Sequence, residues 1–127
     1  MSCLVLIVDD AEQCAETLEV ALFGLPGVDI VATRSGEAAL RIMTERRICA
    51  FITDLHLPRM SGFDLIRRVR EVPGYARVPI LVISGDSDPG TPARTRALGA
   101  DAFFPKPYSP SAVRQKLETL LNAIHSQ

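Results

Sequence analysis

Polar and charged side chains collect just beyond four short apolar runs of this chain. Asp9 and Asp10 follow Cys3 to Val8, Asp54 follows Cys49 to Thr53, Ser84 follows Val78 to Ile83, and Lys106 comes shortly after Ala102 to Phe104. If those runs lie side by side as strands, three carboxylates, a hydroxyl and an ammonium meet at one edge. Two like charges about 4 Å apart repel by roughly 4 kcal/mol at an effective dielectric of ~20, so such a cluster calls for a cation, a proton or abundant water. With no His or Cys set beside them, oxygen ligands suit a hard ion, and Mg²⁺ characteristically takes one or two carboxylates plus waters and phosphate oxygens. Lys106 supplies a mobile point charge for a phosphate and Ser84 a hydroxyl donor. Metal, cation, donor and an oxygen nucleophile together are what phosphoryl transfer requires.

The elements that must position these groups are legible from periodicity. Cys3 to Val8 is apolar throughout and rich in β-branched residues, as a strand buried on both faces should be. Ala15, Leu18, Leu22 and Leu25 make one stripe of a helix, ended by Gly24, Pro26 and Gly27. Val28 to Thr33 is a second strand. Ser35 caps a second helix with Ala38, Ala39, Ile42 and Met43 inward. Cys49 to Thr53 is the third strand, and Leu65, Ile66, Val69 and Val72 face the core from a third helix closed by Pro73 and Gly74. Val78 to Ile83 is a fourth strand despite Pro79. Thr91-Pro92 starts a short helix that Gly99 ends. Ala102 to Phe104 is a brief fifth strand, and after Ser109-Pro110 the last helix carries Val113, Leu117, Leu120, Leu121 and Ile124. Five strands alternating with five helices predict an α/β domain with a doubly wound parallel sheet. Five units are too few for an eight-fold barrel, and ligands of such open sheets bind beyond the carboxyl ends of the strands.

Bulk composition removes several classes of function. A chain of 127 residues fits one domain, residues 1–127, and can bury a core without staples. Fourteen Lys and Arg against fifteen Asp and Glu, a net charge of −1, lack the basic footprint of a nucleic-acid-binding surface. The run Arg67-Arg68-Val69-Arg70 reads as a solvated helix face. Three cysteines, Cys3, Cys14 and Cys49, form no C-x-x-C pair and read as neither a zinc site nor a disulfide framework; they fit a reducing compartment. The apolar N-terminal stretch is too short to span a bilayer and lacks a basic leader, so the expectation is a cytoplasmic protein without membrane binding.

Asp9-Asp10, then Asp54 with Leu57-Pro58-Arg59-Met60-Ser61-Gly62, Ser84-Gly85 and Lys106-Pro107 resemble, in order and separation, the signature of response-regulator receiver domains. The resemblance runs from about Leu4 to Ile124 and implies the flavodoxin-like (βα)5 fold. By that resemblance Asp54 accepts a phosphoryl group from a histidine-kinase phosphohistidine or a small phosphodonor. Asp10, helped by Asp9, implies the Mg²⁺ pair, with Asp54 and the backbone carbonyl of His56 as further ligands. Lys106 matches the lysine of that site, Ser84 the hydroxyl residue drawn toward the phosphoryl group, and Phe103 the aromatic that turns inward as Ser84 shifts. A cis Lys106-Pro107 bond is also implied. The family commonly has Thr where this chain has Ser84, and His56 and Asp86 occupy positions that tune phosphoryl loss.

Each residue alone has a plainer reading. Asp9 and Asp10 could cap the first helix, Ser84 could be loop chemistry, Phe103 could be core, and Lys106 could be solvated. Their joint placement favours a two-component phosphorylation switch acting through the fourth helix, fifth strand and fifth helix. Expected partners are a sensor histidine kinase or phosphotransfer protein and a downstream protein target or fused output domain, with contacts between about Thr91 and Gln115. The chain is expected as a monomer or a phosphorylation-dependent homodimer, with no direct nucleic-acid binding. Two other functions compete: an interaction module that keeps the fold without phosphorylation, and a Mg²⁺-dependent phosphoester hydrolase. The hydrolase is disfavoured because Asp54-Leu55-His56 lacks the D-x-D pattern of aspartate-based phosphatases.

Overall fold

A computed structural model describes residues 3–125. Strands β1 (Cys3–Val8), β2 (Val28–Thr33), β3 (Ile48–Asp54), β4 (Ile80–Ser84) and β5 (Ala102–Pro105) alternate with helices α1 (Glu12–Leu22), α2 (Gly36–Glu45), α3 (Gly62–Glu71), α4 (Thr91–Leu98) and α5 (Pro110–His125). All pairings are parallel and the strand order is β2-β1-β3-β4-β5. The doubly wound parallel sheet expected from the alternation, and the flavodoxin-like (βα)5 fold that the resemblance implies, are therefore present.

Alternation along the central strands, interrupted at the start of β3, divides the core. Leu4, Leu6, Val8, Phe51 and Val82 point toward Ala39 of α2 and Leu65, Ile66 and Val69 of α3. Val5, Ile7, Ile52, Leu81 and Ile83 point toward Ala15, Leu18 and Leu22 of α1 and Val113, Leu117 and Leu121 of α5. Burying each large aliphatic side chain contributes about 1.5–3 kcal/mol, enough to press a helical layer onto each face. Caps then set the helix starts. The Ser35 hydroxyl accepts from Ala38 N–H at 3.1 Å, Ser61 and Asp64 form a reciprocal capping box, and Ser109 Oγ accepts from Ala112 N–H at 3.3 Å.

Several expectations move by a residue or more. β4 begins at Ile80, because Pro79 has no N–H to give the ladder and contributes only its carbonyl, which accepts from Phe51 N–H at 2.9 Å. Gly90, one residue earlier than expected, caps α4, and Thr91 is buried within it. Leu25 is buried beyond the end of α1, and Ile124 lies on the exposed side of α5.

Two expectations are overturned. Arg67 and Arg68 are solvated, but Arg70 is half-buried and donates to the carbonyls of Tyr75 (3.0 Å), Val78 (2.7 Å) and Gly99 (2.6 Å), clamping the loop before β4 to the end of α4. Gly99 serves there with φ 111°, and a Cβ at that position would lie 2.8 Å from Arg70 Nε. The cysteines also pair: Cys3 and Cys49 form a disulfide with Cα atoms 5.7 Å apart. The register between β1 and β3 slips here, Leu4 opposing Ile48 and Val5 opposing Ala50, so Cys49 is a bulge residue. An uninterrupted alternation would have hidden this neighbour relation. Cys14 is free. No described helix is long and apolar enough to cross a membrane.

Candidate functional site

Parallel strands end together, so β1, β3, β4 and β5 deliver their trailing residues to one edge. Asp9 ends up fully buried; its N–H donates to Thr33 O (3.0 Å) and its carboxylate accepts from Ala11 N–H (2.9 Å). Asp10 is exposed. Neither caps α1, whose N-cap is Ala11 without a side-chain bond. Asp54 is 5% exposed, with Oδ1 accepting from the N–H groups of Leu55 (2.6 Å) and His56 (3.2 Å). Its other oxygen takes Lys106 Nζ at 2.7 Å, and the same ammonium lies 3.4 Å from Asp9. Asp9, Asp10 and Asp54 each offer a carboxylate oxygen, all within 4.8 Å of one another.

The electrostatics are those of a site short of positive charge. Burial above all, then the Asp54 carboxylate, raises the pKa of Asp9 against the opposing Ala11 and Lys106 contacts. Burial disfavours the charge on Lys106, but its bond to Asp54 and the fields of Asp54 and Asp9 outweigh that and hold it firmly protonated. One ammonium facing three carboxylates leaves room for a cation. An all-oxygen donor set with one buried and one exposed flank matches what a hard divalent ion takes, because it keeps part of its water shell.

The other expected residues lie around this centre. Ser84 is fully buried and its hydroxyl accepts from Asp86 N–H at 3.0 Å, while its carbonyl accepts from Lys106 N–H at 2.8 Å. His56 and Asp86 meet across the mouth, Nε2 to Oδ2 at 3.7 Å, with the imidazole largely exposed. Phe103 is half-buried in β5, packed on the α3 and α4 side of the core. The Lys106-Pro107 bond is cis.

Two contributors escaped sequence reasoning. Thr53 is buried and its hydroxyl donates to the Asp54 carbonyl at 2.8 Å, a role its place inside an apolar run concealed. Gly62 belongs to the motif, but its purpose needs the fold: a Cβ there would collide with the Asp54 carbonyl oxygen and sit 2.7 Å from Leu55 Cα. Only a glycine lets α3 start against the end of β3, where Gly62 N–H donates to Leu55 O at 2.8 Å.

A doubly wound sheet with an acidic cluster and a lysine at its carboxyl edge defines a known class of domain. Residues 5–118 match the response regulator receiver domain family, and the chain belongs to that family. It is 35% identical over 122 residues to the virulence sensor protein BvgS of Bordetella pertussis, covering 92% of this chain but only 10% of that protein's length. A chemotaxis protein CheY homolog of Campylobacter jejuni is 26% identical over 117 residues, covering 91% of this chain and 90% of its own. The chemotaxis response regulator CheY4 of Vibrio cholerae superposes with a TM-score of 0.83 at 26% identity, over 94% of this chain and 99% of that one.

Proposed function

We propose that this domain is a phosphorylation switch of two-component signalling in which Asp54 is the phosphoryl acceptor. The observation that carries the reading is the Asp54–Lys106 pair set among Asp9 and Asp10 at the carboxyl edge of the sheet. With Oδ1 held by two backbone N–H groups, Oδ2 is the oxygen presented to a donor. Attack of that oxygen on phosphorus would break the bond to a phosphohistidine nitrogen of a sensor kinase or phosphotransfer protein and leave an acyl phosphate on Asp54.

Lys106 is placed to turn from Asp54 to a phosphoryl oxygen, giving the new charge a partner that costs little reorganisation. Asp9, Asp10, Asp54 and the carbonyl of His56 are the groups that would hold Mg²⁺, whose chemistry when bound is to neutralise phosphoryl oxygens. Ser84 would exchange its contact with Asp86 N–H for the phosphoryl group, and Phe103 would follow inward. The surface of α4, β5 and α5 would then carry the signal to a protein target or fused output domain, as monomer or homodimer. A ligand or modification can shift such an equilibrium only through interactions that differ between the two states, and the Ser84 exchange supplies one.

The test is intact mass after incubation with Mg²⁺ and acetyl phosphate, and with a phosphorylated histidine-containing donor protein. Wild type should gain one phosphoryl group and lose the gain when Mg²⁺ is chelated, while Asp54→Asn stays unlabelled. Equal labelling of Asp54→Asn would overturn the assignment, and failure of wild type with both donors would overturn the function.

A further inference from the structure

Cys3 and Cys49 lie at the amino-terminal ends of β1 and β3, on the sheet edge opposite Asp9 and Asp54. The bulge at Cys49 brings the two together with a Cα separation of 5.7 Å, within the usual range for a disulfide. Both residues are half-buried, Cys49 packed against the α1 and α5 side of the core, and they are 46 residues apart in the chain. The third cysteine, Cys14, sits in α1 next to the phosphoacceptor edge and has no sulfur partner.

We propose that Cys3 and Cys49 form a reversible oxidation site, a covalent staple between neighbouring strands that a small disulfide closes and a thiol reductant opens. The oxidant is of the glutathione disulfide class. One cysteine thiolate attacks a glutathione sulfur and releases one glutathione; the other attacks the resulting mixed disulfide and releases the second. Two electrons pass to glutathione disulfide, and the two cysteine protons leave with the two glutathione thiols. The closed ring restricts the unfolded chain far more than the folded one, whose strand pairing already holds both sulfurs together. Oxidation therefore raises stability while leaving the opposite edge, with Asp54 and Lys106, unchanged.

The experiment compares the full chain treated with glutathione disulfide or with dithiothreitol. The oxidised form should be lighter by about 2 Da. Unreduced digests should show the Cys3 and Cys49 peptides joined. Its melting temperature should be higher by about 5–15 °C, and dithiothreitol should reverse the shift. Cys14→Ser should behave like wild type, and Cys49→Ser should lose the redox-dependent shift. Oxidised and reduced wild type melting together, or Cys3 and Cys49 remaining alkylatable under excess glutathione disulfide, would overturn the proposal. The wild-type comparison needs no substitution, so it decides the matter even if Cys49→Ser folds poorly.

Discussion

Replacing Gly62 with alanine perturbs the contact on which the acidic edge is built. The added methyl would collide with the Asp54 carbonyl oxygen, with Leu55 Cα at 2.7 Å and the Asp54 carbonyl carbon at 3.0 Å. All three are backbone atoms of β3 and the residue after it, so no side-chain rotation relieves the clash. Overpacking typically costs 1–3 kcal/mol. An immovable neighbour places this case near the top of that range or above, while alanine's helix propensity returns up to about 1 kcal/mol. The net expectation is a loss of about 2–3 kcal/mol, a drop of roughly 1–2 M in the urea midpoint.

Two other glycines provide controls in the same assay. At Gly36 the methyl meets the side chain of Met60 rather than backbone, its sulfur at 2.8 Å, Cγ at 3.2 Å and Cβ at 3.4 Å, and at Gly85 it meets nothing within 4 Å. Both alanine variants should unfold within about 1 kcal/mol of wild type. Gly62→Ala should also slow phosphoryl incorporation, because α3 can retreat only by dragging Leu55 and with it the N–H that holds Asp54 Oδ1. A Gly62→Ala urea midpoint equal to that of wild type would refute the steric reasoning.

Other substitutions probe the site and its support. Lys106→Ala should cut phosphoryl incorporation by about 10²-fold or more while leaving Mg²⁺ binding intact, since it removes a charge aimed at the phosphoryl group rather than a metal ligand; a time course of intact-mass labelling would read it. Asp9→Asn should stabilise the protein in metal-free buffer at neutral pH. The folded-state pKa of Asp9 is raised, so folding favours its protonated form, and its contribution to stability weakens as pH climbs from the unfolded value of 3.8 through the folded one. Urea unfolding in chelator should show the advantage of Asp9→Asn growing from pH 4 upward; an advantage confined to low pH would contradict the sign. Arg70→Ala leaves three carbonyls without their donor and should cost about 2–3 kcal/mol in urea unfolding, with Arg70→Lys restoring only part, because one ammonium cannot span the fork.

The sequence alone determined the order of strands and helices, since a two-residue alternation and a helical stripe are local signals. The polar residues after those strands were legible for the same reason: parallel strands make trailing positions neighbours. Asp9, Asp54 and Lys106, remote in the chain, could therefore be placed at one edge before any distance was known. What the tertiary structure decided was everything that depends on approach between backbones or on an interrupted pattern. Gly62 is required by the proximity of α3 to β3, which no local propensity encodes. The Cys3–Cys49 bond arises from a one-residue slip in register, and a slip is invisible to a reading that assumes perfect alternation. Arg70 looked like its exposed neighbours because a charged residue carries no periodic mark of burial; three carbonyls left open where a loop and a helix end converge drew it inward.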